Sequence, residues 1–571
     1  MSSLNDPRRR PEATRLLWFA LAALAPAGLL LALMLTYWVD VPFWDQWGAA
    51  RFFGAYARGQ LTLHDLFRPQ NEYRQFFPHL IFVGLGWLTR WDVRAEMFVS
   101  FLLACLACLG VYRLGKLTAA GVGRQRLLAF AASAFLIFSP VQYENWLFGV
   151  QVVYFVPVVC VIFCLVVAAS PALGARARFL LCALLATVST FSSANGILCW
   201  VVAAPALAAA GAWDGPDGRR RWGWAAAWAA GLAVNAALYL YDLERPEVYR
   251  HAPTALDALT YFFAFTGGPF ALGPRPLLLA VPAGAALAAL YLAAGVYAAR
   301  RGGDLARRAT PWLMLGAFSV LTAALVTYGR ADDHGVRQAL SSRYTTFSLY
   351  LPVALAHLAP LLVADLGARG RAASARVGAR LAAAAAAFVL LAHPLVTLLV
   401  VRHGMAPTRR ERRHMKACLT FALAFEDGCV GRLAVKQGVV RERADELDRL
   451  GFLRPPLARS ARARDLPVVP GLAGGAFERL AVSGGEAVAA GRARLPHADR
   501  PADAVLLAYA AEGGEPTLFA VAEVGAEGVA EGWRKTVSLS TLPTGKVTIS
   551  AWAFDSLEGK AFQLDGTHDA R

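Results

Sequence analysis

The feature that most constrains this chain is a succession of apolar runs, each about 20 residues long, between residues 16 and 401. A bilayer's hydrocarbon core is about 30 Å thick, and a helix needs roughly 20 apolar residues to cross it. Beyond residue 402 no such run appears. The chain therefore reads as a membrane domain over 1–401 followed by water-soluble material. The balance of residues agrees: only 17% are charged, where a soluble domain carries about a quarter.

Orientation comes from the arginines. Lys and Arg number 57 against 40 Asp and Glu, a net charge of +17. The basic residues sit in short clusters between apolar runs, as the positive-inside rule predicts, and form no single patch. Nucleic acid is therefore not an expected partner. Arg8, Arg9, Arg10 and Arg15 precede the first run, 16–38. That run is too long for a signal peptide and no small-residue cleavage site follows it, so we expect an uncleaved helix with a cytoplasmic N-terminus.

The spacing predicts eleven transmembrane helices, at 16–38, 95–115, 127–138, 150–169, 179–191, 196–213, 222–241, 276–299, 310–328, 345–364 and 381–401. Between the first two lies an outer loop, 39–94. It holds a 14-residue apolar stretch, Phe76–Thr89, too short to cross and expected at the interface. An odd count puts the C-terminal tail outside. Arg402, Arg409, Arg410, Arg412, Arg413 and Lys416 pull the other way. One missed or additional helix would return the tail to the cytoplasm.

The tail divides in two. Residues 402–470 read as a helical segment, with an amphipathic helix at 436–450, and a Pro- and Arg-rich linker. Residues 471–571 show short runs between Gly/Pro turns, at 504–509, 518–524, 536–542, 547–554 and 561–564, the pattern of a small β-sandwich. The expected fold is thus an all-α polytopic membrane domain with a C-terminal β-sandwich. Six of the eight cysteines lie in apolar runs and read as small buried hydrophobes. The Cys105 and Cys108 pair lacks a second pair and is not read as a metal site. Cys418 and Cys429, in the tail, can form a disulfide if the tail is extracytoplasmic.

Polar residues collect in the outer connections. Asp40 and Asp45 stand among the five aromatics of 37–47. A carboxylate there is partly desolvated and more basic, which suits a general base. The alternative is an interfacial Trp belt beside solvated aspartates. The same loop carries Asn71, Glu72, Tyr73, Arg74 and His79. The next outer connections carry Glu144 and Asn145, then Asn195, then Arg330, Arg337, Arg343 and Tyr344. The cytoplasmic connections hold mostly Arg, Gly and Ala. We expect an outer polar pocket against lipid. Arg343 is the first choice to pair with a phosphate through its planar fork, with Arg337 and Arg74 as rivals.

In this layout the chain resembles the GT-C class of integral membrane glycosyltransferases. The residues that carry the resemblance are the acids Asp40 and Asp45 opening the first outer loop, the stretch at 76–89 and the basic end of the second helix, Arg113 to Lys116. The acids here stand five apart, where the class often carries an adjacent pair. The resemblance implies an inverting sugar transfer at the outer face of a bacterial inner membrane. The donor would be a polyprenyl-phosphate-linked sugar and the acceptor a glycan, lipid or protein. It implies Asp45 as base, then Asp40, with Glu72 nearby. Substrate would be bound by Asn71, Arg74, His79, Glu144, Asn145, Asn195, Arg337, Arg343 and Tyr344. No cofactor or metal is expected, although Asp45 with Glu72 could hold a divalent ion. The competing readings are a transporter or flippase for a lipid-linked saccharide, a glycan polymerase or ligase, and a non-catalytic membrane scaffold.

Overall fold

The computed structural model describes residues 9–70, 73–118, 124–211, 218–243, 254–271, 273–331, 335–434, 437–470, 472–525 and 529–570. Two compact units emerge. The first comprises Met1–Thr36, Leu63–Ile81 and Glu96–Gly404, and the second Tyr37–Thr62, Phe82–Ala95 and Met405–Arg571.

Among the described residues, nine helices are long and apolar enough to cross a membrane. The two further crossings expected from sequence fall at Ala175–Thr190, of 16 residues, and Ala194–Ala209, also 16. At 1.5 Å per residue each reaches only about 24 Å. They pack on one another through a tight turn at Phe191–Ser193, where Ser189 Oγ donates to Gly196 O (2.8 Å). Phe76–Thr89 is a helix of 14 residues, as the pattern predicts.

The first unit is a helical bundle stitched by a few polar contacts. Trp312 Nε1 donates to Thr118 Oγ1 (2.8 Å), and the Trp312 ring stacks on His357 at 4.0 Å. His357 Nε2 meets Ser133 Oγ at 3.2 Å. Helices Ala255–Thr266 and Pro276–Arg301 approach backbone to backbone at two glycines. A Cβ on Gly267 would lie 1.9 Å from Ala280 O, and one on Gly284 would lie 2.0 Å from Phe263 O. Small residues permit such close approach in lipid, where packing rather than water exclusion drives association. The apolar-run cysteines are mostly buried and unbridged, as expected of small hydrophobes.

Among the described residues the second unit holds nine strands in one antiparallel sheet: β1 (Gly475–Ser483), β2 (Glu486–Leu495), β3 (Arg500–Pro501), β4 (Ala504–Ala511), β5 (Thr517–Val524), β6 (Gly532–Ser538), β7 (Val547–Asp555), β8 (Lys560–Gln563) and β9 (His568–Asp569). The main order is β1-β2-β6-β5-β4-β7-β8. The sheet curls into a half-barrel in place of the expected two-sheet sandwich. A short ladder makes the difference. Glu523 pairs with Arg534 and Val524 with Trp533, which joins what would be two facing sheets into one.

The sheet is closed inside its curl, and its outer face is covered over β4, β5 and β7. Inside the curl lie Val505, Leu507, Val547, Ile549, Trp533 and Phe562. On the other face Leu506, Trp552 and Phe554 pack against Ala417, Cys418 and Phe421 at the end of helix Ala406–Thr420. A disulfide joins Cys418 to Cys429. Asp427 then fastens this corner to the sheet. Its Oδ1 accepts from Cys429 N (2.8 Å), and its Oδ2 accepts from Val521 N and Lys535 Nζ (each 2.9 Å).

Phe562 is completely buried. Phe562→Ala is expected to destabilise the sheet by about 3–5 kcal/mol through lost transfer energy and the cavity left behind. Thermal unfolding and limited proteolysis of the tail measure it; an unchanged midpoint would contradict this core.

Candidate functional site

In the first unit, two loops are zipped together by side chains. Glu144 Oε2 accepts from Ser341 Oγ (3.1 Å) and from the Arg343 backbone N–H (3.2 Å). The Glu144 backbone N–H donates to Ser342 Oγ (3.0 Å). Asn145 Nδ2 donates to Arg343 O (2.8 Å) and Thr346 Oγ1 (2.6 Å), and Thr346 donates onward to Gln142 Oε1. Arg343 is thus held from both its backbone groups at the start of helix Ser342–Ser348.

The Arg343 side chain emerges into a cluster of like polarity. Its guanidinium lies 5.4 Å from the centroid of the Tyr344 ring. It interacts electrostatically with Tyr154, Tyr344, Glu144 and Arg330. Tyr154 and Tyr261 share these arginines, and Arg330 Nη2 donates to Tyr73 Oη (2.8 Å). Among the described residues no carboxylate comes within ion-pair distance of Arg343. Its Nε is buried without a hydrogen-bond partner, and so is Asn145 Oδ1 nearby. An orphaned donor, Arg343 Nε, thus lies near an orphaned acceptor, Asn145 Oδ1, whereas buried polar atoms are normally satisfied.

The other expected site residues are placed differently. Arg74 is buried, with Nε on Tyr239 O (3.2 Å), Nη1 on Phe67 O (2.7 Å) and Nη2 on Tyr241 O. Its fork is engaged by backbone carbonyls, a clamp on the loop rather than a spare phosphate ligand. His79 is equally enclosed, between Leu66 O (2.8 Å) and Gln70 Oε1 (3.2 Å). Asn195 donates to Thr322 Oγ1 (3.3 Å), and Arg337 is exposed. Asn71 and Glu72 lie outside the described residues. Tyr154 and Tyr261 were not singled out by sequence because both sit within apolar stretches. The polar Gln151 three residues before Tyr154 is the one hint that this face is not lipid-facing.

In the second unit, Asp40 and Asp45 have different surroundings. Asp45 is exposed and occupies the N-cap position of helix Gln46–Ala57. Asp40 is drawn inward. Its Oδ1 accepts from Val93 N (3.2 Å), and Lys416 Nζ donates to its backbone O (2.8 Å) while lying 3.8 Å from Oδ2. Burial pushes the Asp40 carboxyl above the usual carboxylate range, against the pull of Lys416. At the neighbouring Asp92 burial also raises, but hydrogen bonds from Arg94 override it and hold that carboxyl below the usual range. The cavity beside Asp40 measures only about 10 Å³ and is lined by Pro42, Trp91 and Leu453 among others. That is room for about one water.

Two groups of potential metal ligands occur among the described residues. His414, Cys418 and Cys429 form one, but the two sulfurs are joined in the disulfide. His497, Asp555 and Glu558 form the other, but Arg500 Nη2 already sits 3.2 Å from Asp555 Oδ2.

No protein-family profile, curated protein or solved structure matches this chain.

The Asp40 geometry has a pH consequence. A carboxyl whose folded value is raised stabilises the fold at low pH, and that contribution is lost as pH rises through the raised value. Melting temperatures between about pH 4 and 8 should therefore fall less steeply for Asp40→Asn than for the parent. Parallel profiles would contradict the environment assigned to Asp40.

Proposed function

We propose that this protein is a multi-pass membrane glycosyltransferase. It moves a sugar from a polyprenyl-phosphate donor to an acceptor hydroxyl at the outer face of a bacterial inner membrane, with inversion. The observation that carries the reading is Arg343, a half-buried guanidinium with no carboxylate partner, a buried unpartnered Nε and tyrosine rings about it. A phosphate oxygen satisfies the orphaned donor, and the planar fork suits a phosphate better than a point charge would.

The chemistry follows from that anchor. A base takes the proton from the acceptor hydroxyl, and the oxygen attacks the anomeric carbon. The bond from that carbon to the phosphate oxygen breaks, and the phosphate leaves with the bonding pair. Arg343, aided by Arg330, neutralises the charge that grows on the leaving oxygen. Glu144 acts as a positioning residue by holding the Arg343 backbone. The resemblance assigns the base to Asp45, ahead of Asp40 and Glu72. The exposure of Asp45 favours it over Asp40, whose adjoining cavity admits only a water.

The side of the tail is supported by two further points. Nine crossings and eleven are both odd, so the two short helices leave the expected outer placement unchanged. Disulfides persist in oxidising compartments, and Cys418 and Cys429 are joined. The basic run that follows the last crossing also has a use that requires no cytoplasm. Arg413 pairs with Asp503 at 3.2 Å, Lys416 meets Asp40, and Arg412 covers the Phe43 ring at 3.1 Å.

Arg343→Ala should weaken binding of a polyprenyl phosphate in vesicles about tenfold to a hundredfold, the worth of a charged hydrogen bond. Arg343→Lys should recover part of it. Asp45→Asn should abolish sugar transfer while leaving that binding intact. Normal binding by correctly inserted Arg343→Ala would remove the phosphate anchor; normal surface glycan in both Asp45→Asn and Asp40→Asn would remove the base. A reporter fused after Arg571 reads the side of the tail.

A further inference from the structure

A cluster of metal-ligating side chains in the second unit is only half explained by the disulfide that crosses it. His414 and Cys418 stand four residues apart on helix Ala406–Thr420, so both side chains leave the same face. Cys429 reaches that point from the short turn Gly428–Arg432. One donor atom from each of the three lies within 4.8 Å of the other two. All three side chains are buried.

The two sulfurs account for one another, but the imidazole is left over. His414 Nε2 meets Cys418 Sγ at 3.6 Å, a weak contact, and Nδ1 is buried with no hydrogen-bond partner. An aliphatic side chain would pack against a disulfide without orphaning a polar atom. A histidine at that place is explained by something that binds imidazole and sulfur together. The distances agree. An ion about 2.0 Å from an imidazole nitrogen and about 2.3 Å from a thiolate holds the two about 3.5–3.7 Å apart. The Cα atoms of the two cysteines are 5.9 Å apart, close enough for both sulfurs to reach one ion. The charged groups acting on His414 balance, Glu523 and Asp427 against Arg432 and Lys535. In such surroundings the ion least costly to bury is a divalent one, because two thiolates neutralise it. Two cysteines and one histidine, with a fourth position for a small ligand, form a zinc donor set.

We propose that His414, Cys418 and Cys429 bind one Zn(II) when the two cysteines are thiols, so that this corner closes either by the disulfide or by the metal. A dithiol reductant opens the disulfide. The protein S–S bond breaks, an S–S bond forms in the reductant, and two electrons and two protons pass to the cysteines. Zn(II) then displaces the two thiol protons and accepts no electron. The site does not depend on the glycosyltransferase reading.

The test uses the full-length protein purified in detergent, reduced with dithiothreitol, freed of reductant without air and titrated with Zn(II) against a chromophoric chelator. The reduced protein should take up one Zn(II) per chain, and the unreduced protein less than a tenth of that. Co(II) in place of Zn(II) should give thiolate charge-transfer absorption. Cys418→Ser and Cys429→Ser should each abolish that absorption. His414→Gln should weaken Zn(II) binding at least tenfold, and it keeps the disulfide, so it serves if the serine variants do not fold. Bound Zn(II) should also slow re-formation of the disulfide in air about tenfold. Absence of Zn(II) uptake after reduction overturns the proposal, and so does loss of the folded tail on reduction, because the site requires the reduced corner to keep its shape. Zn(II) retained undiminished by the Cys418→Ser or His414→Gln protein overturns it by placing the ion elsewhere. Uptake of Cu(I) without Zn(II) overturns the choice of ion.

Discussion

A backbone N–H or C=O inside hydrocarbon has no water to turn to, so each crossing must close its hydrogen bonds within itself as a helix. Everything specific in the first unit follows from where that requirement relaxes, at the helix ends. There the chain must satisfy its loops with side chains, and it does so with Glu144, Asn145, Ser341, Ser342 and Thr346. Such a network is rigid only if nearly every member is satisfied. It is satisfied, except at Asn145 Oδ1 and Arg343 Nε. The exceptions sit together, at the one arginine whose backbone the network fixes. Pre-organisation of that kind is what a site for a developing phosphate charge requires, because the donors are then in place before the charge appears.

The second unit solves a different problem. Its sheet is apolar inside the curl and, over β4, β5 and β7, on its outer face as well, and neither apolar surface can be left to water. One face closes on itself by curling. The other is covered by the end of helix Ala406–Thr420, which is otherwise strongly basic. The disulfide and Asp427 hold that corner, and Arg413, Lys416 and Arg412 find Asp503, Asp40 and the Phe43 ring within the same unit. Lys416 is almost wholly buried, and removing its partner would leave an uncompensated interior charge, a larger loss than the pair itself contributes.

Much of this was legible in the sequence, for identifiable reasons. Hydrocarbon thickness sets the length of the crossings, so the long ones stand out. The strands at 504–511, 517–524 and 547–555 alternate clearly and were found within a few residues. The hairpin of β1 and β2 was not, because it is rich in Ala and Arg, which carry little strand preference. Its turn was visible in retrospect: Gly484 and Gly485 both have positive φ, +59° and +86°, as a two-residue hairpin turn demands. The half-barrel was hidden because it depends on a two-pair ladder between β5 and β6, which no periodicity encodes. In the site, loop residues such as Glu144 and Arg343 could be nominated from composition. That Arg74 would be consumed by three carbonyls, and Arg343 by none of the nearby acids, is a matter of tertiary geometry alone.

The arginines show why the net charge of +17 is a poor guide to function when taken as a sum. The same side chain does three different things here, and its neighbours decide which. Between the apolar runs it stands in short exposed clusters, and solvent screens it. In helix Ala406–Thr420 it pairs with acids and rings, so its charge is cancelled locally. At Arg343 it is half withdrawn from water, fixed at its backbone and left without an acid. Desolvation strengthens any interaction such a charge makes, and the field of the neighbouring tyrosines and Glu144 keeps the guanidinium in its charged form despite its burial. A structural arginine would gain by recruiting a carboxylate, and Glu144 stands close enough to have served. Instead its carboxylate accepts from Ser341 and from the Arg343 backbone, fixing the loop while attracting the guanidinium from beyond ion-pair distance.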